Sequence, residues 1–246
     1  MLELDGKIAV VTGAGSGLGR AAAQVLAGYG AKILAADISG AEEETVASIG
    51  AAAIPFRCDV TQEAQVEAML RAAVDRFGRV DAVLNVAGIG TAALVADIDM
   101  AEYDRTLNVD LRGVIHGTKH AVRVMSATGG GVILNWASIA GLGAAPTYGI
   151  YSAGKAAVIA FTKSAAAEYA HLGIRAITIA PGFFLTEPAM QMSADAVARM
   201  TASIPMGRPG KPKECAELAA FLISDRAPFL NGATIVIDGG QTAQLP

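Results

Sequence analysis

Seven short runs of β-branched and small apolar residues recur along the chain, separated by longer stretches with apolar residues at helical spacing. The runs are Lys7 to Thr12, Lys32 to Ala36, Ala51 to Arg57, Asp81 to Asn85, Gly131 to Trp136, Gly173 to Ala180 and Ala233 to Ile237. None alternates cleanly between apolar and polar, as expected of strands buried on both faces. Strand and helix taking turns in this way predict an α/β fold, a doubly wound parallel sheet of seven strands with helices over both faces. Nothing divides the chain into halves, so residues 1–246 are expected to form one domain.

One region breaks the rhythm. Pro181 to Pro212 holds five prolines and four methionines between the sixth strand and the helix around Glu214. A long insertion at a strand end serves as a cover over a site, and residues 183–212 or so are assigned that part.

Several function classes are excluded. A formal net charge of -4 with no basic run argues against nucleic acid, because phosphate contacts need clustered Lys and Arg. The start, Met1 to Lys7, lacks the basic residues and apolar core of a signal peptide. No stretch reaches the roughly 18 to 20 apolar residues of a membrane span, so a cytoplasmic protein with no membrane partner is expected. Cys58 and Cys215 lie far apart and read as reduced thiols. His116 and His120 would share a helix face, but Gly117 stands where a zinc hydrolase carries its Glu, and no metal site is expected.

The first run ends in Thr12-Gly13-Ala14-Gly15-Ser16-Gly17-Leu18-Gly19, followed at once by an Ala-rich helical stretch. Glycine lets backbone approach a pyrophosphate, while a helix N-terminus offers free N–H groups and a positive dipole end. The fold is thus expected to be Rossmann-type, with Gly13, Ser16, Gly17, Leu18 and Gly19 holding a dinucleotide. The spacing is Gly-x-x-x-Gly-x-Gly, which is not the commonest fingerprint. Asp37 ends the second strand, where a carboxylate accepts hydrogen bonds from ribose hydroxyls and repels a 2′-phosphate, favouring NAD; it also suits the N-cap of the next helix. Asp59 and Asn85-Val86-Ala87-Gly88 follow the third and fourth strands and fall on the same sheet edge.

Tyr148-Gly-Ile-Tyr151-Ser-Ala-Gly-Lys155 carries two tyrosines and a lysine. Tyr151 and Lys155 are four apart, on one helix face and about 6 Å from one another. A free phenol titrates near pH 10, and a fixed ammonium favours its phenolate, so Tyr151 is the candidate acid/base. Tyr148 is either a pocket wall or a packed aromatic. The hydroxyl of Ser138, at the end of the fifth run, is placed to bond a substrate oxygen, and Asn108 to hold a water toward Lys155. Gly141, Gly143, Ala144 and Ala145 are expected to leave room near the reacting carbon. Met190, Met192, Met200 and Met206 offer an adaptable apolar cover.

In order and over essentially the whole length, these motifs resemble the short-chain dehydrogenase/reductase family in its compact form. Thr12-Gly13-x-x-x-Gly17-x-Gly19 resembles the cofactor loop, Asp59-Val60 the adenine-side motif, and Asn85-x-Ala87-Gly88 the fourth-strand motif. Asn108, Ser138, Tyr151 and Lys155 match the catalytic tetrad. Pro181-Gly182 with Thr186 matches the nicotinamide-side segment, and Asp238-Gly239-Gly240 the C-terminal end. Val86 replaces a common second Asn, and Ala137 a frequent Ser. The resemblance implies hydride transfer between a secondary alcohol or ketone, plausibly apolar or cyclic, and NAD, in a homotetramer. Tyr151 would exchange the proton, Ser138 position the oxygen, Lys155 favour the phenolate and hold the ribose, and Asn108 anchor a relay water. A 3-oxoacyl thioester reductase of the same family and a non-catalytic NAD-binding regulator are the competing readings.

Overall fold

A computed structural model describes residues 4–244, the side chain of Pro188 excepted. Seven strands form one sheet: β1 (Ile8–Thr12), β2 (Lys32–Asp37), β3 (Ala53–Arg57), β4 (Ala82–Asn85), β5 (Gly131–Trp136), β6 (Ile174–Pro181) and β7 (Thr234–Ile237). Their order is β3-β2-β1-β4-β5-β6-β7, and every pairing is parallel. The order reverses between β1 and β4, the switch point at which open α/β sheets bind ligands beyond the strand carboxyl ends. Thr12 pairs with both Ala36 and Asn85, so three strand ends open onto that crevice.

Residues alternate between two cores along each strand. Ala9 and Val11 face a layer that includes α1 (Gly17–Gly28) and α9 (Pro212–Ile223), with α2 (Glu42–Ile49) packed at its side. Val10 faces the opposite layer, built from α3 (Glu63–Phe77), α5 (Gly113–Ser126) and α6 (Gly149–Tyr169). Helix α3 shows why the sequence folds locally as it does. Val66, Met69, Leu70 and Ala73 are buried at helical spacing, and Gly78 closes the helix at a φ of 90°. Burying a Met or Leu of that kind contributes about 1.5–3 kcal/mol.

Strand β3 starts at Ala53, later than the expected Ala51, because Gly50 (φ 84°) opens a turn whose carbonyl accepts from the Ala53 N–H at 3.1 Å. Helix α4 (Met100–Leu107) joins α5 through a π-helical turn, Asn108–Arg112. The insertion after β6 carries two further helices, α7 (Glu187–Met190) and α8 (Ala194–Ala202). Its neck is pinned: the Leu185 N–H donates to the Gly210 carbonyl and the Gly210 N–H to the Phe183 carbonyl, both at 2.9 Å. Among the described residues no helix is long and apolar enough to cross a membrane.

Candidate active site

A cleft of about 1030 Å³ runs along the strand carboxyl ends, from Asp37 at one end to Tyr148 and the insertion at the other. The loop after β1 forms its floor. The Thr12 hydroxyl accepts from the Val86 and Ala87 N–H groups at 3.1 and 3.2 Å, locking that loop to the exit of β4. Gly13 sits at φ 68°, and a Cβ there would stand 2.9 Å from the Ala87 backbone. A Cβ on Gly19 would collide with the Gly13 carbonyl. No other residue fits either place, and Gly17, Leu18 and Gly19 at the start of α1 line the cleft; this cradle suits a dinucleotide pyrophosphate. Ser16, Asp59, Val60, Ala87 and Gly88 also line the cleft, as do Pro181, Gly182 and Thr186 across from them.

Asp37 has a structural part as well. One carboxylate oxygen accepts from the Gly15 N–H at 2.9 Å, the other from the Ser39 N–H at 2.9 Å and its hydroxyl at 2.7 Å. A carboxylate has about four acceptor sites, so capacity remains for a ligand. Asp59 likewise closes a turn, accepting from the N–H and hydroxyl of Thr61 at 2.9 and 2.8 Å. Beside Asp37 in the sheet lies Arg57, a basic group with no distinguishing mark in the sequence. Its guanidinium is held by the Ile38 carbonyl at 2.6 Å and the Glu42 carboxylate at 3.4 Å.

At the reacting end Tyr151 lies in the first turn of α6, whose N-cap is Tyr148. Thr147 precedes it at φ 68°, a costly conformation for a β-branched residue, held by the Ala93 N–H on its carbonyl at 2.7 Å. The Tyr148 ring meets Tyr151 edge to face, 6.1 Å between centroids, and also lines the cleft. Tyr148 is thus a cleft wall, and with 39% of its surface exposed it is not a packed aromatic. Lys155 is buried, its Nζ 5.5 Å from the Tyr151 ring centroid and donating to the Trp136 carbonyl at 3.2 Å. Ser138 caps a short turn by accepting from the Ala140 N–H at 3.1 Å, which leaves its O–H free to donate into the cleft. Gly141 leaves no room for substrate, contrary to expectation: a Cβ there would stand 2.7 Å from the Lys155 carbonyl carbon, so the glycine lets this turn pack on α6.

Two predicted residues do not line the cleft themselves. Asn85 is buried and donates to the Asn135 side chain at 2.8 Å, tying β4 to β5 beneath α5 instead of facing the cleft. Asn108 opens the π turn, where its carbonyl accepts from the Gly113 N–H, and it is not among the cleft-lining residues. The residue that reaches Lys155 is Asp110, 3.3 Å from Nζ and fully buried. Burial pushes its carboxyl above the usual carboxylate range, while Lys155 and the Ile89 N–H pull the other way. Another unforeseen group is Glu187 at the start of α7. It accepts from the Gly17 N–H at 2.7 Å and lies 3.4 Å from the Arg20 guanidinium. Cys58 also lines the cleft, but burial pushes its thiol up to about 12, so it is an inert apolar neighbour.

Residues 13–242 match the profile of a family described as enoyl-(acyl carrier protein) reductase. A short-chain type dehydrogenase/reductase from Mycobacterium marinum superposes with a TM-score of 0.93 at 35% identity, covering 99% of this chain and 98% of that one. The chain belongs to the short-chain dehydrogenase/reductase family. The crystal structure of a 3-ketoacyl-(acyl-carrier-protein) reductase from Brucella melitensis complexed with NADH is similar at a TM-score of 0.92 and 36% identity, over 98% of this chain and 100% of that one. Cis-4-hydroxycyclohexanecarboxylate dehydrogenase of Sinomonas cyclohexanicum is 41% identical over 241 residues, 96% of this chain and 97% of that protein.

As a short-chain dehydrogenase/reductase the protein is an oxidoreductase that works with a nicotinamide cofactor. The histidines stand apart from that chemistry. His116 Nδ1 is paired with the Val60 carbonyl at 3.0 Å and His120 with Glu63 at 3.1 Å, both on the outer layer. Among the described residues no cluster of three His, Cys, Asp or Glu side chains has metal-binding geometry.

Proposed function

We propose that the protein is an NAD-dependent dehydrogenase of secondary alcohols, acting on a small, largely apolar ring. The observation that carries this reading is the meeting of Ser138, Tyr151 and Lys155 in one cleft whose far end presents Asp37. In the oxidation direction Tyr151 takes the hydroxyl proton, favoured by the Lys155 ammonium and by its place at the positive end of α6. The free O–H of Ser138 donates to the same oxygen and fixes which hydrogen faces the cofactor. NAD, when bound, would supply the hydride acceptor, with Gly13 and the start of α1 to hold its pyrophosphate and Thr186 to line the nicotinamide side.

Asp37 supports NAD over NADP, since a 2′-phosphate would face its charge and the nearby Arg57 is already engaged by Glu42. The substrate end supports a ring: Pro146, Tyr148, Phe183, Met192 and Met200 give it apolar walls. The similarity to a dehydrogenase named for a hydroxycyclohexanecarboxylate supports the ring, which there carries a carboxylate. A cytoplasmic homotetramer remains part of the proposal, and light scattering at micromolar concentration checks the assembly.

The test is NADH formation from a panel of cyclic alcohols, vicinal diols, hydroxysteroids and 3-hydroxyacyl thioesters, each with NAD and with NADP. Turnover of a cyclic alcohol with NAD is expected; preference for a thioester with NADP refutes the reading in favour of an acyl thioester reductase. Tyr151→Phe is expected to bind NADH and to lose at least about a hundredfold in turnover, the lower range for acid/base catalysis. Near-normal activity would remove Tyr151 from the chemistry.

A further inference from the structure

We propose that Asp110 is the positioning residue of this site, its buried carboxylate holding the Lys155 ammonium beneath Tyr151 and balancing its charge. The proposal rests on the catalytic reading of Lys155 given above. The geometry is specific. One Asp110 oxygen accepts from the Ile89 N–H at 2.7 Å, and the other, with no hydrogen-bond partner of its own, lies 3.3 Å from Lys155 Nζ. Neither residue has more than 3% of its surface exposed. Lys155 is the one buried lysine among the described residues, and Asp110 its one carboxylate contact.

Three features bring the pair together. The π turn Asn108–Arg112 carries an extra residue, which rotates the start of α5 by about 100° relative to an unbroken helix. Gly154 lets α6 close on this turn, a Cβ there lying 3.0 Å from Leu107 and 3.9 Å from the Asp110 Cβ. Gly88 roofs the pair, since a Cβ there would stand 3.1 Å from Lys155 Nζ and 3.3 Å from the Asp110 oxygen. From the elements around it the pair meets the Ile89 N–H on the loop after β4, the Trp136 carbonyl on β5 and the Tyr151 ring on α6. Of these only Tyr151 ionises, so Asp110 supplies the countercharge. A buried ammonium stripped of its countercharge leaves its place or sheds its proton.

Asp110→Asn tests this, because the amide keeps an acceptor for the Ile89 N–H and turns a donor toward Lys155. Wild-type alcohol oxidation should rise with pH to a plateau. The variant should lose about a hundredfold in kcat near neutral pH, the scale of one acid/base function, and its profile should fall again at alkaline pH in place of the plateau. A profile of unchanged shape, merely scaled down, would show a structural role and overturn the proposal.

Stability supplies a readout that needs neither substrate nor the single variant. Lys155→Met should lower the urea midpoint by stranding a buried carboxylate, and Asp110→Asn added to it should raise the midpoint again. If the second change lowers the midpoint further, the two residues act separately and the pairing is refuted. Should no alcohol turn over, this comparison still decides the pair, and the catalytic reading falls alone.

Discussion

Glu187 occupies a hydrogen-bond donor that the proposed dinucleotide site would use. Its carboxylate accepts from the Gly17 N–H at 2.7 Å, at the N-terminus of α1, with the Arg20 guanidinium 3.4 Å away. A pyrophosphate seated on that N–H has to displace this carboxylate, or accept a like charge beside it. A hydrogen bond to a charged group contributes about 1.5–3 kcal/mol. The Glu187 side chain is 42% exposed, so screening by water roughly halves this, to about 0.7–1.4 kcal/mol. Glu187→Gln keeps the shape and removes the charge. The dissociation constant for NADH should fall about three- to tenfold, at about 1.4 kcal/mol per tenfold. Fluorescence titration measures it, with ADP-ribose as a second ligand that carries the pyrophosphate and adenosine as a control that lacks it. The gain should appear for the first two only and shrink in high salt. Equal or weaker NADH binding by the variant would refute the reasoning.

Asp37→Ala should weaken binding of both NAD and NADP, because the carboxylate also anchors Gly15 and Ser39, and should narrow the ratio between them; an unchanged ratio removes Asp37 from cofactor choice. Glu63 is held at about 2, below its ordinary 4.5, first by Lys119 at 2.6 Å and then by His120, so its contribution to stability is complete above pH 4.5 and is lost as pH falls toward 2. Glu63→Gln should therefore lower the urea midpoint near neutrality, and the gap to wild type should close on acidification; a constant gap across that range would exclude the ion pair as its source.

The sheet was legible because parallel strands buried on both faces read as short continuous apolar runs, and glycine turns punctuate them. The Tyr151–Lys155 pair and the α1 loop were legible for a related reason: each is set by local spacing. Asp110, Glu187 and the partner of Asn85 depend instead on how distant elements pack, across 45, 170 and 50 positions in the chain. Asp110 did carry a signal. It lies three residues after Leu107 and four before Val114, a charge on an apolar helix face, and such a charge calls for a buried partner. No periodicity could have revealed the π turn, since it is a defect in the very repeat from which helices are read.

The pinned neck of the insertion separates two design problems. With Phe183, Leu185 and Gly210 joined across its base, the intervening chain closes a loop whose ends are already fixed, and lengthening such a loop costs little, about 0.6 kcal/mol per doubling. Selection, or an engineer, can exchange the α8 stretch within it for another of different length and shape, while Thr186 and Glu187 stay against Gly17 at the phosphate-binding edge. Gly210 is fixed as well: a side chain there would run into the Phe184 ring. Substrate range can thus drift on one side of a hinge while the hydride chemistry stays constant on the other.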